Sequence, residues 1–111
     1  MTDKAIAYAE RESDLARMTI FQKSDGRMVA RLRRPEDSLE PSHREGAYND
    51  LWRHVGSGGH YLRHDEVYDE DADQACYDYS SYETGRLWLR SVREWHENVR
   101  GGPRFVPIAT L

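Results

Sequence analysis

Apolar residues recur at intervals of three and four along most of this chain, which is the spacing of one face of an α-helix. Four helices are therefore predicted, over residues 2–13, from Ser42 to Val55, over residues 69–79 and over residues 81–100. The last is the longest, and its apolar stripe consists of Trp88, Val92, Trp95 and Val99. Ser42-x-x-Glu45 and Ser80-x-x-Glu83 match capping boxes, which favours a helix after each of them.

Residues 18–33 have a different pattern, in which two stretches rich in strand-forming residues flank a turn. Asp25-Gly26 divides them, and this pair is typical of a two-residue type I′ turn in a β-hairpin. Such a turn predicts that Phe21 lies opposite Ala30, on the face that packs against the helices. The C-terminal tail is expected to add a third strand only at an edge, because Pro107 has no N–H group to donate.

Together these elements predict one α+β domain over residues 1–111, in which a β-hairpin is packed by about four helices. No internal repeat is apparent. Leu, Ile, Val and Phe provide only 19 of the 111 residues, and Trp and Tyr add ten more. We therefore expect a small core rich in aromatic rings, and self-association into a homodimer would add to its limited stability.

The composition excludes several classes of protein. Lys and Arg total 16 and Asp and Glu total 20, so the formal net charge is −4, which argues against a histone-like coat for nucleic acid. The chain has no apolar run near the roughly 20 residues that a membrane helix requires, and its start has no signal-peptide pattern. Cys76 is the only cysteine, so a disulfide framework is excluded. These features predict a soluble, cytoplasmic protein that does not bind a membrane.

Candidate catalytic groups are few. His60-x-x-x-His64 would place two imidazoles on one side of a helix, with His54 nearby, but two glycines directly before His60 disfavour a helix there. We therefore expect isolated surface histidines, and a metal- or phosphate-dependent enzyme at these histidines is the third hypothesis. Cys76, among acidic residues, is expected to be an unreactive thiol. The sequence predicts a protein without catalytic residues and without a cofactor.

The distribution of charge is more informative than any motif. From Asp65 to Glu83 the chain has eight acidic residues and no Lys or Arg, and four tyrosines are interleaved with them. Carboxylates and phenols on one surface would approximate the phosphates and bases of a nucleic acid. The candidate partner-binding residues are Asp65, Glu66, Tyr68, Asp69, Glu70, Asp71, Asp73, Tyr77, Asp78 and Tyr82. A merely solvated acidic face, with the tyrosines in the core, is the alternative.

This surface predicts a small, non-catalytic protein that binds and occludes a protein partner with a basic, nucleic-acid-binding surface. Inhibitors of host nucleases encoded by phages, anti-CRISPR proteins and toxin-immunity proteins share this size and charge, which is an analogy only. Changing Asp69, Asp71 and Asp73 to Lys is expected to abolish binding without affecting the fold.

The hairpin suggests an alternative function. Arginine outnumbers lysine 14 to 2, and four of the arginines lie on or beside the second hairpin strand: Arg27, Arg31, Arg33 and Arg34. A two-stranded ribbon can enter the major groove of DNA, so the alternative is a nucleic-acid-binding regulator. The net charge of −4 argues against it, and ion pairs between these arginines and the acidic segment are a simpler explanation.

Overall fold

The chain forms a protein made mostly of β-strands, as shown by a computed structural model that describes residues 3–38 and 50–108. The first unit contains β1 (Lys4–Arg11), β2 (Arg17–Gln22) and β3 (Met28–Leu32). After β4 (Leu51–His54), a second unit contains β5 (His60–Asp69), β6 (Gln74–Ser81) and β7 (Leu87–Ser91). The chain then forms the four-residue helix α1 (Val92–Trp95), β8 (Asn98–Val99), β9 (Gly102–Pro103) and β10 (Phe105–Pro107).

Eight of the strands form one mixed sheet, in the order β10-β4-β5-β3-β2-β1-β7-β6. Because β5 also pairs with β6, the six strands of the two units close into a ring. Within each unit the strands are antiparallel neighbours. The units are joined by two parallel seams, β3 with β5 and β1 with β7, and each seam contains only two residue pairs.

The two units repeat the same arrangement, although no repeat is apparent in the sequence. At one seam the N–H of Glu12 donates to the carbonyl of Leu89 at 2.8 Å, and at the other the N–H of Glu70 donates to the carbonyl of Ala30 at 2.9 Å. The first turn of each unit contains a non-glycine residue with a positive φ, Leu15 at 60° and Asp73 at 53°. In the sequence, the two units share glutamate at this seam position, Glu12 and Glu70, and a Gly-Arg pair at the end of the second turn.

Side chains that alternate along these strands create two main cores and a smaller cluster of Ala5, Phe21 and Val29. The interior of the ring is filled by small and medium-sized residues, including Ala9, Met18, Ile20, Val67 and Leu89. A second core of aromatic rings lies on the outer face of β5–β7, beneath β4 and β10; its members are Tyr79, Trp95 and Phe105, with Trp52, Tyr61, Tyr77 and Trp88 packed against them. The expected aromatic-rich core therefore exists, but it lies outside the ring, and the core inside the ring contains mainly aliphatic residues.

The predicted α+β class is wrong, because nearly all of the described secondary structure is strand. Residues 2–13 mostly form β1, residues 69–79 form a turn and most of β6, and residues 81–100 are divided among β7, α1 and β8. The first helix was wrongly predicted because the alternating alanines of β1 are too small to reveal the two-residue period of a strand. The last was wrongly predicted because its apolar stripe combines residues of β7, α1 and β8. Residues 42–49 of the fourth predicted helix lie outside the described residues, and Leu51 begins β4.

The predicted hairpin at residues 18–33 exists as β2 and β3, but its register differs by one residue. Phe21 pairs with Val29 instead of Ala30, because the N–H of Lys23 donates to the carbonyl of Arg27 and closes a loop of three residues. Gly26 alone has a positive φ in this loop, at 90°, which is the arrangement of a type I turn followed by a bulge. Phe21 therefore lies on the outer face of the sheet, while Ala30 faces the interior.

The C-terminal tail does contribute an edge strand, but not to the hairpin. β10 pairs with β4, and Pro107 lies opposite Trp52 at the end of the sheet order. No helix among residues 3–38 and 50–108 is long and apolar enough to cross a membrane.

Candidate functional site

The acidic segment, from Asp65 to Glu83, lies mostly in the hairpin formed by β5, β6 and the turn between them. Because successive side chains of a strand point to opposite faces, its residues are distributed over both faces of the sheet. Asp69 and Asp78 point inward and are completely buried. Tyr77 is half-buried. The remaining candidate residues are exposed: Asp65, Glu66, Tyr68, Glu70, Asp71, Asp73 and Tyr82. The predicted single surface is therefore divided, and only part of the segment is available to a partner.

Arg11 binds two of the candidate carboxylates and one other. Its Nη1 donates to Asp69 Oδ2 at 3.0 Å and to Asp71 Oδ2 at 2.8 Å, and its Nη2 donates to Asp14 Oδ2 at 2.7 Å. The hydrogen bond from Arg11 lowers the pKa of Asp14 to about 2. Asp69 also accepts the N–H groups of Asp71 and Ala72 through Oδ1, both at 3.0 Å. Asp69 and Asp71 therefore stabilise the β5–β6 turn.

Two further candidates serve the fold. Asp78 Oδ1 accepts the N–H of Asp65 at 2.9 Å, where the register of β5 and β6 shifts between Arg63 and Glu66. Such a shift turns backbone groups away from their usual partners, and a buried carboxylate can satisfy one of them. Tyr77 belongs to the aromatic core, since its ring centroid lies 5.5 Å from that of Trp95.

The exposed candidates on β5 line a groove of about 540 Å³. One wall consists of Asp65, Glu66, Tyr68 and Glu70, and the other is formed by the β2–β3 turn and the start of β3. β3 begins at Met28 and pairs with β5 only at Tyr68 and Asp69, so the groove lies where β5 extends past the start of β3. We call this feature the acidic groove. Lys23 and Arg27 lie on its far wall, but Arg27 is paired with Asp25 at 2.7 Å.

The hairpin arginines of the alternative function are largely engaged within the chain. The guanidinium of Arg31 lies 4.0 Å from the ring centroid of Phe21 and donates to Asp37 at 3.4 Å. Arg33 covers the ring of Tyr8 at 4.0 Å, and Arg27 binds Asp25. Arg34 is exposed. These contacts engage the guanidinium groups of three of the four arginines, and those of Arg31 and Arg33 lie over aromatic rings of β2 and β1.

The three histidines do not converge. His60 Nδ1 lies 2.9 Å from Glu83 Oε1, His64 Nε2 lies 2.9 Å from Ser80 Oγ, and His54 Nδ1 lies 2.9 Å from Ser57 Oγ. Because β5 is a strand, four residues separate His60 from His64 by about 13 Å along the backbone. In the part of the chain that the structure describes, no group of three or more His, Cys, Asp or Glu side chains could hold a metal ion.

Sequence reasoning missed a buried arginine beside the aromatic core. Arg90 is 7% exposed, its Nε donates to Tyr79 Oη at 3.2 Å, and its Nη2 lies 3.2 Å from Glu12 Oε1. Burial raises the pKa of Tyr79 to about 12. These residues line a cavity of about 270 Å³ with Trp88 and Phe105. The two-residue spacing of Leu87 and Leu89, next to Trp88, is the signal that could have indicated a strand there.

Comparison with protein-family models, with curated proteins and with solved structures finds no match to this chain. The classification with inhibitors, viral proteins or anti-CRISPR proteins has no support from any relative, and we do not retain it.

Proposed function

We propose that this protein is a non-catalytic, cytoplasmic binding protein, and that it covers a basic, extended segment of a protein partner with its acidic groove. The observation that carries the proposal is the convergence of Asp65, Glu66 and Glu70 with the 43% exposed Tyr68 on one wall. Neither Glu66 nor Glu70 makes an ion pair with a residue that the structure describes, and both side chains are exposed. Tyrosine beside them supplies contact area with few rotatable bonds.

The backbone of β5 supports an extended partner. Its start pairs with β4 at residues 60–62, and its end pairs with β3 at Tyr68 and Asp69. Between these positions β5 has no strand on that side among the described residues. A sheet edge of this kind can accept an additional strand, whose alternate lysine or arginine side chains would meet the acidic wall.

The proposal is tested with a synthetic peptide of alternating lysine and valine, titrated into the protein by calorimetry at low salt. We expect binding that weakens as salt is added. Changing both Glu66 and Glu70 to Lys should weaken binding at least about tenfold, because two attractive charges become repulsive. The matched control changes the exposed Asp3 and Glu36 to Lys, which alters the net charge equally, and should retain most of the affinity.

Two results would contradict the proposal: no binding of the peptide by the native protein, or an equal loss in the two double variants. The second result would show that only the net charge matters. If duplex DNA is bound instead, and Arg31→Ala with Arg33→Ala abolishes that binding, the nucleic-acid alternative replaces this proposal.

A further inference from the structure

A second cavity, separate from the acidic groove, lies between the turn after β4 and the β8–β9 hairpin. Its volume is about 650 Å³. Its lining includes the cationic side chains of Arg100 and Arg104, the imidazole of His54 and, among the described residues, no carboxylate. An excess of cationic groups is unusual on a chain whose formal net charge is −4. The charge of this cavity is therefore opposite to that of the acidic groove.

The arginine in the β8–β9 turn adopts an unfavourable backbone conformation. Arg100 has a φ of 52° and the following Gly101 has a φ of 81°, so both central residues of the turn are left-handed. Gly, Asn or Asp is usual at such a position, because a Cβ atom crowds the backbone there and only a short polar side chain offsets this by hydrogen-bonding locally. Arg100 makes no ion pair with a described residue that would account for this conformation. Its guanidinium remains available to a ligand in the cavity.

The second arginine is held in place at the cavity. Arg104 Nε donates to the carbonyl of Glu94 at 3.2 Å, and its own carbonyl accepts the N–H of Val55 at 3.0 Å. Among the described residues the nearest carboxylate is that of Glu97, which is half exposed and whose Oε1 lies 3.9 Å from Arg104 Nη2. A solvated contact at this distance is weak, so Arg104 retains most of its attraction for an anion.

The other side of the cavity also favours an anion. Burial is the main reason that the pKa of His54 is lowered; the positive charges of Arg90 and Arg104 lower it further, and the charge of Glu12 opposes them. Gly56, Gly101 and Gly102 line the same cavity, and the absence of side chains lets a ligand approach the backbone closely. Two arginines, a histidine and bare backbone are a combination suited to phosphate oxygens.

We propose that the cavity between His54, Arg100 and Arg104 binds a small anion of the phosphate class. The guanidinium groups would contact its oxygens from the two ends of the 100–104 segment, and His54 would face it from the turn after β4. This site does not depend on the acidic groove, and either proposal can fail alone.

The probe is inorganic phosphate, added at constant ionic strength and followed by NMR. We expect saturable shifts at the amides of Gly56, Gly101 and Gly102 and a rise in the pKa of His54, because a bound anion favours imidazolium. Arg100→Asn should weaken phosphate binding at least about fivefold, since the charge is lost while asparagine suits the left-handed turn. The control Arg17→Gln, which removes an exposed arginine elsewhere, should change the affinity less than twofold.

Shifts that do not saturate, or an equal loss of affinity in Arg100→Asn and Arg17→Gln, would overturn this proposal. Arg104→Gln provides an independent check, because its expected effect is also at least about fivefold. Retention of full affinity by both cavity variants, with native amide spectra, would likewise exclude the site.

Discussion

Arg11 is a residue on which the ring depends, although nothing in its sequence neighbourhood indicates this. It binds Asp14, three residues away, but also Asp69 and Asp71, which are 58 and 60 residues away. Since Asp69 is completely buried, its charge is stable only when a cation and hydrogen-bond donors surround it.

Replacing Arg11 with Met should destabilise the protein by about 3–5 kcal/mol, because Asp69 is left as a buried charge without its cation. Urea unfolding followed by circular dichroism measures the change. The exposed Arg17→Met serves as control, with an expected effect below about 0.5 kcal/mol. A loss of less than about 1 kcal/mol in Arg11→Met would mean that the ion pair is not required.

The same cluster predicts how stability depends on pH. Asp14 has a pKa of about 2 in the folded protein, against an ordinary value of 3.8. Its ionised carboxylate therefore stabilises the fold above about pH 4. This contribution is lost as the pH falls toward 2, where the carboxylate is protonated in the folded state too. Carboxyl NMR titration should show the low pKa directly, and Asp14→Asn should reduce the acid sensitivity of the urea midpoint. A normal pKa for Asp14 would contradict the geometry.

At the scale of the elements, the β-turns determine which faces the strands present. Gly85 ends the β6–β7 turn with a φ of 75°, and a methyl group added there would meet no atom within 4 Å. The cost of a side chain at this position is therefore purely one of backbone conformation. Gly102 also has open space around it, but its φ is not in the left-handed region.

Gly85→Ala should consequently lower the free energy of unfolding by about 1 kcal/mol, while Gly102→Ala should be close to neutral. Thermal unfolding of the two variants separates conformation from packing. Equal effects at both positions would show that the left-handed turn is not what Gly85 provides.

Part of this arrangement was predictable from the sequence. Asp25-Gly26 indicated where the β2–β3 hairpin turns. The sequence did not indicate that the loop has three residues instead of two, and this one-residue difference changes the residue that lies opposite Phe21. Trp88 and Trp95 do share one core, but a strand and a short helix bring them together, so their spacing indicates a common environment and not a helix.

The acidic segment shows the same limit. Glu66, Tyr68 and Glu70 alternate, which is the pattern of one strand face, and they do line one groove. The structural use of Asp69 could not be inferred, because its partner Arg11 lies in another strand. The sequence therefore indicated the acidic groove but included residues that belong to the fold, and charge reversal at Asp69 and Asp71 would test stability instead of binding.

At the scale of the whole molecule, closure of the ring controls access to its interior. Cys76 is completely buried inside it, and burial raises the pKa of its thiol to about 12. A thiol in this state is neither ionised nor reachable by a reagent.

A thiol reagent should therefore label Cys76 only when the ring opens, and the labelling rate should rise with urea in parallel with unfolding. Mass spectrometry measures the rate, and unfolded protein gives the limiting value. Rapid labelling in native buffer, at a rate near that of the unfolded chain, would show that the ring is open in solution.

The correspondence between the two units also bears on the ancestry of the chain. A half-length polypeptide with three antiparallel strands has two unpaired edges, and two copies of it could close the same ring through the seams seen here. Fusion of two such copies would make a dimer unnecessary. It would also let the two halves differ at matching positions, so that one could carry Arg11 and the other Asp69, which pair inside the closed ring.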